Sequence, residues 1–246
     1  MDAPHDPLAR RDALERWADQ QKRRSRRPTL STRVVERVIG RDRLIRTGIR
    51  VDRFADRVFD QGFDTASVVQ LPLHSDDRVL YVPSRWHVLP RALRYLGVSD
   101  EDCFVDFGCG KGRVVHQAAR WPFKRVIGVE VSPELAEEAR ALLKARSHQH
   151  RAREVEVVVS DVREYQVPDD LTIGYFFHPF GRETLDMLLG RIVESIDRRP
   201  RRVRLIYVLP DLSRWAILDT GRFRVVKQQS SVLRGGIDRV AIFESR

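Results

Sequence analysis

Apolar and polar positions follow two regimes along this chain, and the change between them divides it. Up to about residue 80 the apolar residues recur at helical spacing. Leu14 and Trp17 share a short amphipathic stretch, Val34, Val35, Val38 and Ile39 follow a capping Ser31, and Val51, Phe54, Val58 and Phe59 repeat the pattern. Residues 68–73 are expected to be extended, with a polar turn at His74 to Asp77. A helix carrying Leu89, Leu93 and Leu96 then leads into apolar runs of strand length that alternate with helical patterns. The expected strands are Phe104–Phe107, Arg125–Val131, Val155–Val162, Leu171–Phe180 and Arg202–Leu209. Helices are expected from Arg113 to about Trp121, from Glu183 to Ile196 and from Asp211 to Leu218, with Ser132-Pro133-Glu134 capping another. Phe223–Gln228 and Val240–Phe243 read as a closing antiparallel pair. Strands alternating with helices imply a parallel sheet covered on both faces. The expected fold is α/β: a doubly wound, mostly parallel seven-stranded sheet with a C-terminal antiparallel hairpin. Residues 1–80 form a small helical, arginine-rich cap in this reading, and residues 81–246 form the main domain.

The candidate chemistry gathers at strand ends. Phe104-Val-Asp-Phe-Gly-Cys-Gly-Lys-Gly-Arg113 is an apolar strand, an acid at its end, and Gly108, Gly110 and Gly112 at alternate positions before a helix. Glycine supplies the positive φ of a sharp turn and lets backbone approach a ligand. The dinucleotide fingerprint G-x-G-x-x-G seats a pyrophosphate on a helix N-terminus. Here the pattern is D-x-G-x-G-x-G, with the last glycine one residue earlier and Asp106 before the first. Glu130 ends the next strand, 18 positions after Gly112, which leaves room for one crossover helix. An acid there accepts hydrogen bonds from ribose hydroxyls or caps the following helix. Asp161 and His178-Pro179-Phe180 end the third and fourth strands.

The glycine pattern resembles motif I of class I S-adenosylmethionine-dependent methyltransferases, and from about Asp60 to Phe243 the chain looks like a bacterial family of these enzymes, mostly without assigned substrates. Tyr81-Val-Pro, the motif I segment, Pro122-Phe-Lys-Arg-Val-Ile-Gly-Val-Glu130 and the loop after the fourth strand carry that resemblance. Asp-Phe-Gly-Cys-Gly-Lys-Gly is also similar to non-SET protein lysine methyltransferases. The resemblance implies S-adenosylmethionine as cofactor, whose amino-acid end needs an acid and backbone amides more than an anion hole. It places Asp106, Gly108, Gly110, Gly112, Glu130, Asp161 and Val162 at the cofactor, Asp161 on the adenine amino group and the Val162 amide on a ring nitrogen. Tyr81 and Ser84 become candidates for covering the methionine end; tyrosine packing on the first helix is the alternative. His178 falls at the substrate-facing loop, where the related family commonly has Asn-Pro-Phe. Imidazole there is a base, a hydrogen-bonding substitute for the amide, or structural. Pro179 and Phe180 would wall the substrate pocket.

Composition adds limits. There are 246 residues, 42% of them hydrophobic, and no run of 18 apolar residues for a membrane helix. Met1-Asp-Ala-Pro-His-Asp6 lacks an apolar signal core. Cys103 and Cys109 therefore read as reduced thiols of a cytoplasmic protein. No spacing suggests a metal site. The net charge of +10 invites an anionic partner, but lysine stands only at 22, 111, 124, 144 and 227, and such arginine bias also arises from a GC-rich genome. Lys22-Arg-Arg-Ser-Arg-Arg27 and Arg198-Arg-Pro-Arg-Arg202 are the local clusters, and a solvated face is the simpler reading of both. The expectation is a methyltransferase acting on a small molecule or a protein side chain. RNA or DNA methylation, with arginines on phosphates, and a catalytically inactive binding protein are the alternatives.

Overall fold

The computed structural model of the chain describes residues 69–70, 80–81, 84–177, 181–208, 213–231 and 238–246. The expected N-terminal helices, the expected turn at 74–77 and the His178-Pro179-Phe180 segment lie outside these residues. Strands β1 (Val69–Gln70) and β2 (Leu80–Tyr81) form a small antiparallel pair in which Val69 faces Tyr81.

The main sheet has seven strands: β3 (Cys103–Phe107), β4 (Arg125–Glu130), β5 (Glu154–Val159), β6 (Leu171–Phe177), β7 (Arg204–Val208), β8 (Phe223–Ser231) and β9 (Asp238–Ser245). Their spatial order is β5-β4-β3-β6-β7-β9-β8. The first five are parallel, while β9 runs antiparallel to both β7 and β8. The helices are α1 (Val88–Leu96), α2 (Arg113–Ala119), α3 (Pro133–Ala145), α4 (Arg182–Arg198) and α5 (Ser213–Asp219). The expected doubly wound sheet with its terminal hairpin is the fold observed. None of the described helices is long and apolar enough to cross a membrane.

Strand alternation builds the two cores. Cys103, Val105 and Phe107 of β3 point to one face, where Leu185, Leu188, Leu189 and Ile192 of α4 cover them. There Phe176 stacks between Phe107 and Tyr207, with ring centroids 5.0 and 5.5 Å away. Phe104 points to the opposite face, into a cluster with Leu89 and Leu93 of α1, Val115 of α2, Ala139 of α3 and Tyr175 of β6. Asp106, two residues after Phe104, shares that second face.

Strand order then fixes where a ligand would sit. From β3 the chain proceeds to β4 and β5 on one side, then returns to place β6 on the other side of β3. Such a reversal opens a crevice at the carboxyl ends of the two central strands. Asp106 lies at that end of β3, in register with Gly128 of β4 and Tyr175 of β6.

Candidate functional site

The turn after β3 is built almost entirely from its own backbone. Gly108, Gly110 and Gly112 have φ of 84°, 52° and 77°, in the left-handed region that side chains disfavour. The amides of Gly108 and Cys109 both donate to the Val129 carbonyl, at 2.9 and 3.0 Å. Gly110 donates to Glu130 Oε2 at 2.8 Å, and Gly112 to the Cys109 carbonyl at 3.0 Å. This departs from the sequence reading, in which backbone amides of the turn serve the ligand: these four are spent on the chain. What the turn presents instead is the Asp106 carboxylate.

Asp106 is 3% exposed, and no hydrogen-bond donor among the described residues reaches its carboxylate. Burial, and after it the negative charge of Glu130, push its pKa well above the ordinary carboxylate value. An unpaired carboxylate costs free energy when buried, so the site is incomplete without a positively charged or hydrogen-donating ligand.

Glu130 ends β4 as expected. Its two oxygens divide their work: Oε2 takes the Gly110 amide and Oε1 takes the Ser132 amide at 3.0 Å. Burial raises its pKa, against the opposing pull of those two amides. Each oxygen keeps a further lone pair for a hydroxyl donor. The capping and ligand readings of Glu130 are thus compatible, because the helix cap itself is a different side chain: Ser132 Oγ accepts from Leu135 N at 3.2 Å, with Pro133 at the first helical position.

Asp161 lies in a turn two residues beyond β5, which stops at Val159, and not on the strand. Its carboxylate accepts from the Arg163 amide at 2.8 Å and from the Arg163 guanidinium, whose hydrogen bonds hold its pKa below the usual value. A ligand amino group would share Asp161 with Arg163. Val162 is buried in the core, and no acceptor among the described residues takes its amide. β6 ends at Phe177, three residues short of the expected strand. His178, Pro179 and Phe180 lie outside the described residues, as does the side chain of Tyr81.

Ser84, expected beside the cofactor, is buried, and two elements hold it. Arg113 Nη1, from the first residue of α2, donates to its carbonyl at 3.2 Å. The Tyr175 hydroxyl donates to its Oγ at 2.9 Å.

Two residues of the site escaped sequence reading. Gly128, opposite Asp106 in β4, has no room for a side chain: an added Cβ would lie 2.7 Å from Cys109 Sγ and 2.8 Å from Val115. Its signal, a glycine inside an apolar strand, was in the sequence and marks close approach. Tyr175 carried no such signal, since buried strand tyrosines are common. Cys109 is no nucleophile here, as burial followed by the charges of Asp106 and Glu130 pushes its thiol pKa well up. Among the described residues, no group of His, Cys, Asp or Glu is placed to hold a metal ion.

Comparison with known proteins bears on this arrangement. Residues 104–197, from β3 to the last turn of α4, match the family model of a methyltransferase domain. A 64-residue stretch is 41% identical to a protein-lysine N-methyltransferase of Saccharolobus islandicus. That alignment covers 26% of this chain and 40% of the relative, so the chain spans well under half the length of the curated relative it matches. An RNA methyltransferase from Salinibacter ruber, solved in complex with S-adenosyl-L-homocysteine, superposes with a TM-score of 0.52 at 23% identity, over 67% of this chain and 94% of that one. A SAM-dependent methyltransferase from Aquifex aeolicus gives 0.51 at 14% identity, over 64% and 89%. At such identities the two structures speak for the fold alone. Residues 104–197 are a methyltransferase domain, set in the class I, Rossmann-like fold of S-adenosylmethionine-dependent methyltransferases.

Proposed function

We propose that the protein transfers a methyl group from S-adenosylmethionine to an amine on a protein side chain. The observation that carries the cofactor half is the buried Asp106 carboxylate with no donor from the chain, at the switch point of the sheet and beside Glu130. S-adenosylmethionine offers what these groups lack: an ammonium for Asp106, ribose hydroxyls for the spare lone pairs of Glu130, and an adenine edge for the Val162 amide. When bound, it supplies a methyl on a sulfonium: the acceptor's lone pair forms the new bond to carbon as the C–S electron pair returns to sulfur, leaving S-adenosylhomocysteine and releasing the acceptor's proton. The chain's own part is binding, orientation and exclusion of water, which suffice for an already activated donor.

Support for the acceptor half comes from the stretch shared with the protein-lysine N-methyltransferase. The arginines near β7 weigh against a nucleic-acid acceptor, because many are spent on the fold. Arg198 pairs with Asp169 at 2.8 Å, and Arg204 with the buried Asp102 at 3.0 Å. Arg201 donates to the carbonyls of Leu171, Ser195, Arg199 and Pro168.

The test has two stages. Calorimetric titration with S-adenosylmethionine and S-adenosylhomocysteine should show micromolar binding that Asp106→Ala abolishes; no binding to folded protein overturns the cofactor half. Incubation with labelled S-adenosylmethionine and a cell lysate should then put label into protease-sensitive material, recovered as methylated lysine. Label recovered only after nuclease digestion, or in small molecules, overturns the acceptor half.

A further inference from the structure

Arg113, Ser84 and Tyr175 make a clasp that ties three parts of the chain together beside Asp106. Tyr175 is the register partner of Asp106 on β6. Its ring lies on the same face of the sheet, 6.3 Å from Phe104. Tyr175 is fully buried, and its hydroxyl reaches Ser84 Oγ. Ser84 is therefore brought next to the unpaired carboxylate, although 22 residues of chain separate it from Asp106. Arg113 grips the same residue by its carbonyl, and the guanidinium carbon lies 5.0 Å over the Trp86 ring. A cation that is 3% exposed and bonded to a backbone carbonyl holds that backbone in place.

The hydrogen-bond inventory around Ser84 is uneven. A serine hydroxyl has one donor and two acceptor sites. Tyr175 fills one acceptor site, and none of the described residues accepts the Ser84 proton. The pocket therefore presents two complementary unmet groups: an acceptor on Asp106 and a donor on Ser84. An α-amino acid zwitterion carries the matching pair, an ammonium and a carboxylate.

We infer that Tyr175 and Arg113 are positioning residues that aim the Ser84 hydroxyl at the α-carboxylate of the cofactor's amino-acid end, while Asp106 takes its ammonium. This rests on the cofactor reading above. The clasp also joins the segment before α1 to the turn helix α2 and to β6, the strand that leads into the expected substrate loop. Seating the amino-acid end would then fix both walls of the pocket together.

The experiment compares two ligands on four proteins. S-adenosylhomocysteine has the amino-acid end; 5′-methylthioadenosine has the same nucleoside and sulfur without it. Wild type, Tyr175→Phe, Ser84→Ala and Ser84→Thr are titrated with each, and thermal unfolding confirms that each variant is folded. Tyr175→Phe removes only the hydroxyl and should weaken S-adenosylhomocysteine about tenfold, as expected when one hydrogen bond to a charged group is mis-set. Methylthioadenosine should bind all four proteins alike. Ser84→Ala should match or exceed the Tyr175→Phe loss, and Ser84→Thr, which keeps the hydroxyl, should restore most of it. If Tyr175→Phe fails to fold, the two Ser84 variants carry the same comparison. Equal weakening of both ligands, or of neither, overturns the inference while leaving the cofactor reading intact. Failure of wild type to bind either ligand removes the cofactor reading itself.

Discussion

Glu130 accepts the amide hydrogen of Gly110 at 2.8 Å, so a carboxylate at the end of β4 pins the middle of the turn that follows β3. Its other oxygen holds Ser132 at the head of α3. One buried side chain thus sets both the shape of the turn and the start of the next helix. Glu130→Ala leaves two amides without their acceptor, each costing about 1–3 kcal/mol when buried. The variant should unfold at lower temperature and lose cofactor binding together. Glu130→Gln keeps one acceptor oxygen but turns an N–H₂ toward the second amide, so it should fall between wild type and Ala in both measurements. Thermal unfolding and titration with S-adenosylhomocysteine check this, and unchanged binding in Glu130→Ala would remove Glu130 from the site.

Asp106 should behave in the opposite way in stability. Its folded-state pKa is raised, so the folded protein holds that proton more tightly than the unfolded chain does. Stability from this group is therefore fully present below the ordinary value of 3.8 and is lost as pH rises toward the raised folded value. At neutral pH the ionised, unpaired carboxylate is a net cost to the unliganded fold. Asp106→Asn should raise the unfolding temperature at neutral pH while weakening cofactor binding at least tenfold. The gain should widen as pH rises from about 4, the ordinary carboxylate range. A variant that is destabilised at pH 7 would show that Asp106 has a stabilising partner.

Two glycines separate backbone strain from packing. Gly97 ends α1 with φ of 66°, and an added Cβ would meet nothing within 4 Å. Gly112 has φ of 77°, and its added Cβ would lie 2.8 Å from Ala139 Cβ on α3. Gly97→Ala should cost only the left-handed backbone penalty, about 1–2 kcal/mol. Gly112→Ala adds overpacking of about 1–3 kcal/mol and pushes α3 away from the turn. Chemical denaturation of both variants checks the ordering. Equal costs would mean that α3 yields freely, and that Gly112 serves the turn alone.

The sheet was legible because its signals are local. Apolar runs such as Val126–Val129 and the punctuation of Ser132-Pro133 depend on neighbours in sequence, and the strand order followed from α/β alternation. Strand ends were harder. Asp161 was read onto β5, yet the chain turns after Val159, and the Asp161 side chain caps that turn through the Arg163 amide. Asp106 and Glu130 were legible as acids at strand ends, but their division of labour was not, because it depends on which amides the turn consumes. The clasp was the least legible part. Tyr175 meets Ser84 across 91 residues, and only the register of β3 with β6 brings them together. Composition was the poorest guide, since Arg198, Arg201 and Arg204 serve acids and carbonyls of the fold.

Away from the site, α2 buries a histidine that makes the fold sensitive to acid. His116 is 1% exposed, and its Nδ1 lies 3.3 Å from His150 Nε2. Burial lowers its pKa from 6.5 to about 3, helped by the charge of Arg146 and then by His150, Arg120 and His148. The His150 pKa is lowered as well, by burial and by His148. At neutral pH the pair shares a hydrogen bond between uncharged rings. In the unfolded chain both rings take a proton near 6.5, whereas folded His116 resists it until about pH 3. Stability from this group is thus present above pH 6.5 and is lost as pH falls toward 3. The slope reaches at most about 1.4 kcal/mol per pH unit for one such group. Because Asp106 pulls the other way over part of that range, the measurement is a difference: unfolding temperature against pH from 4 to 7.5, wild type beside His116→Gln. The glutamine variant keeps a polar partner for His150 and cannot take up the proton, so its curve should fall less steeply below pH 6. Parallel curves would show that His116 titrates normally in the folded protein and that the buried, neutral pair does not persist in solution.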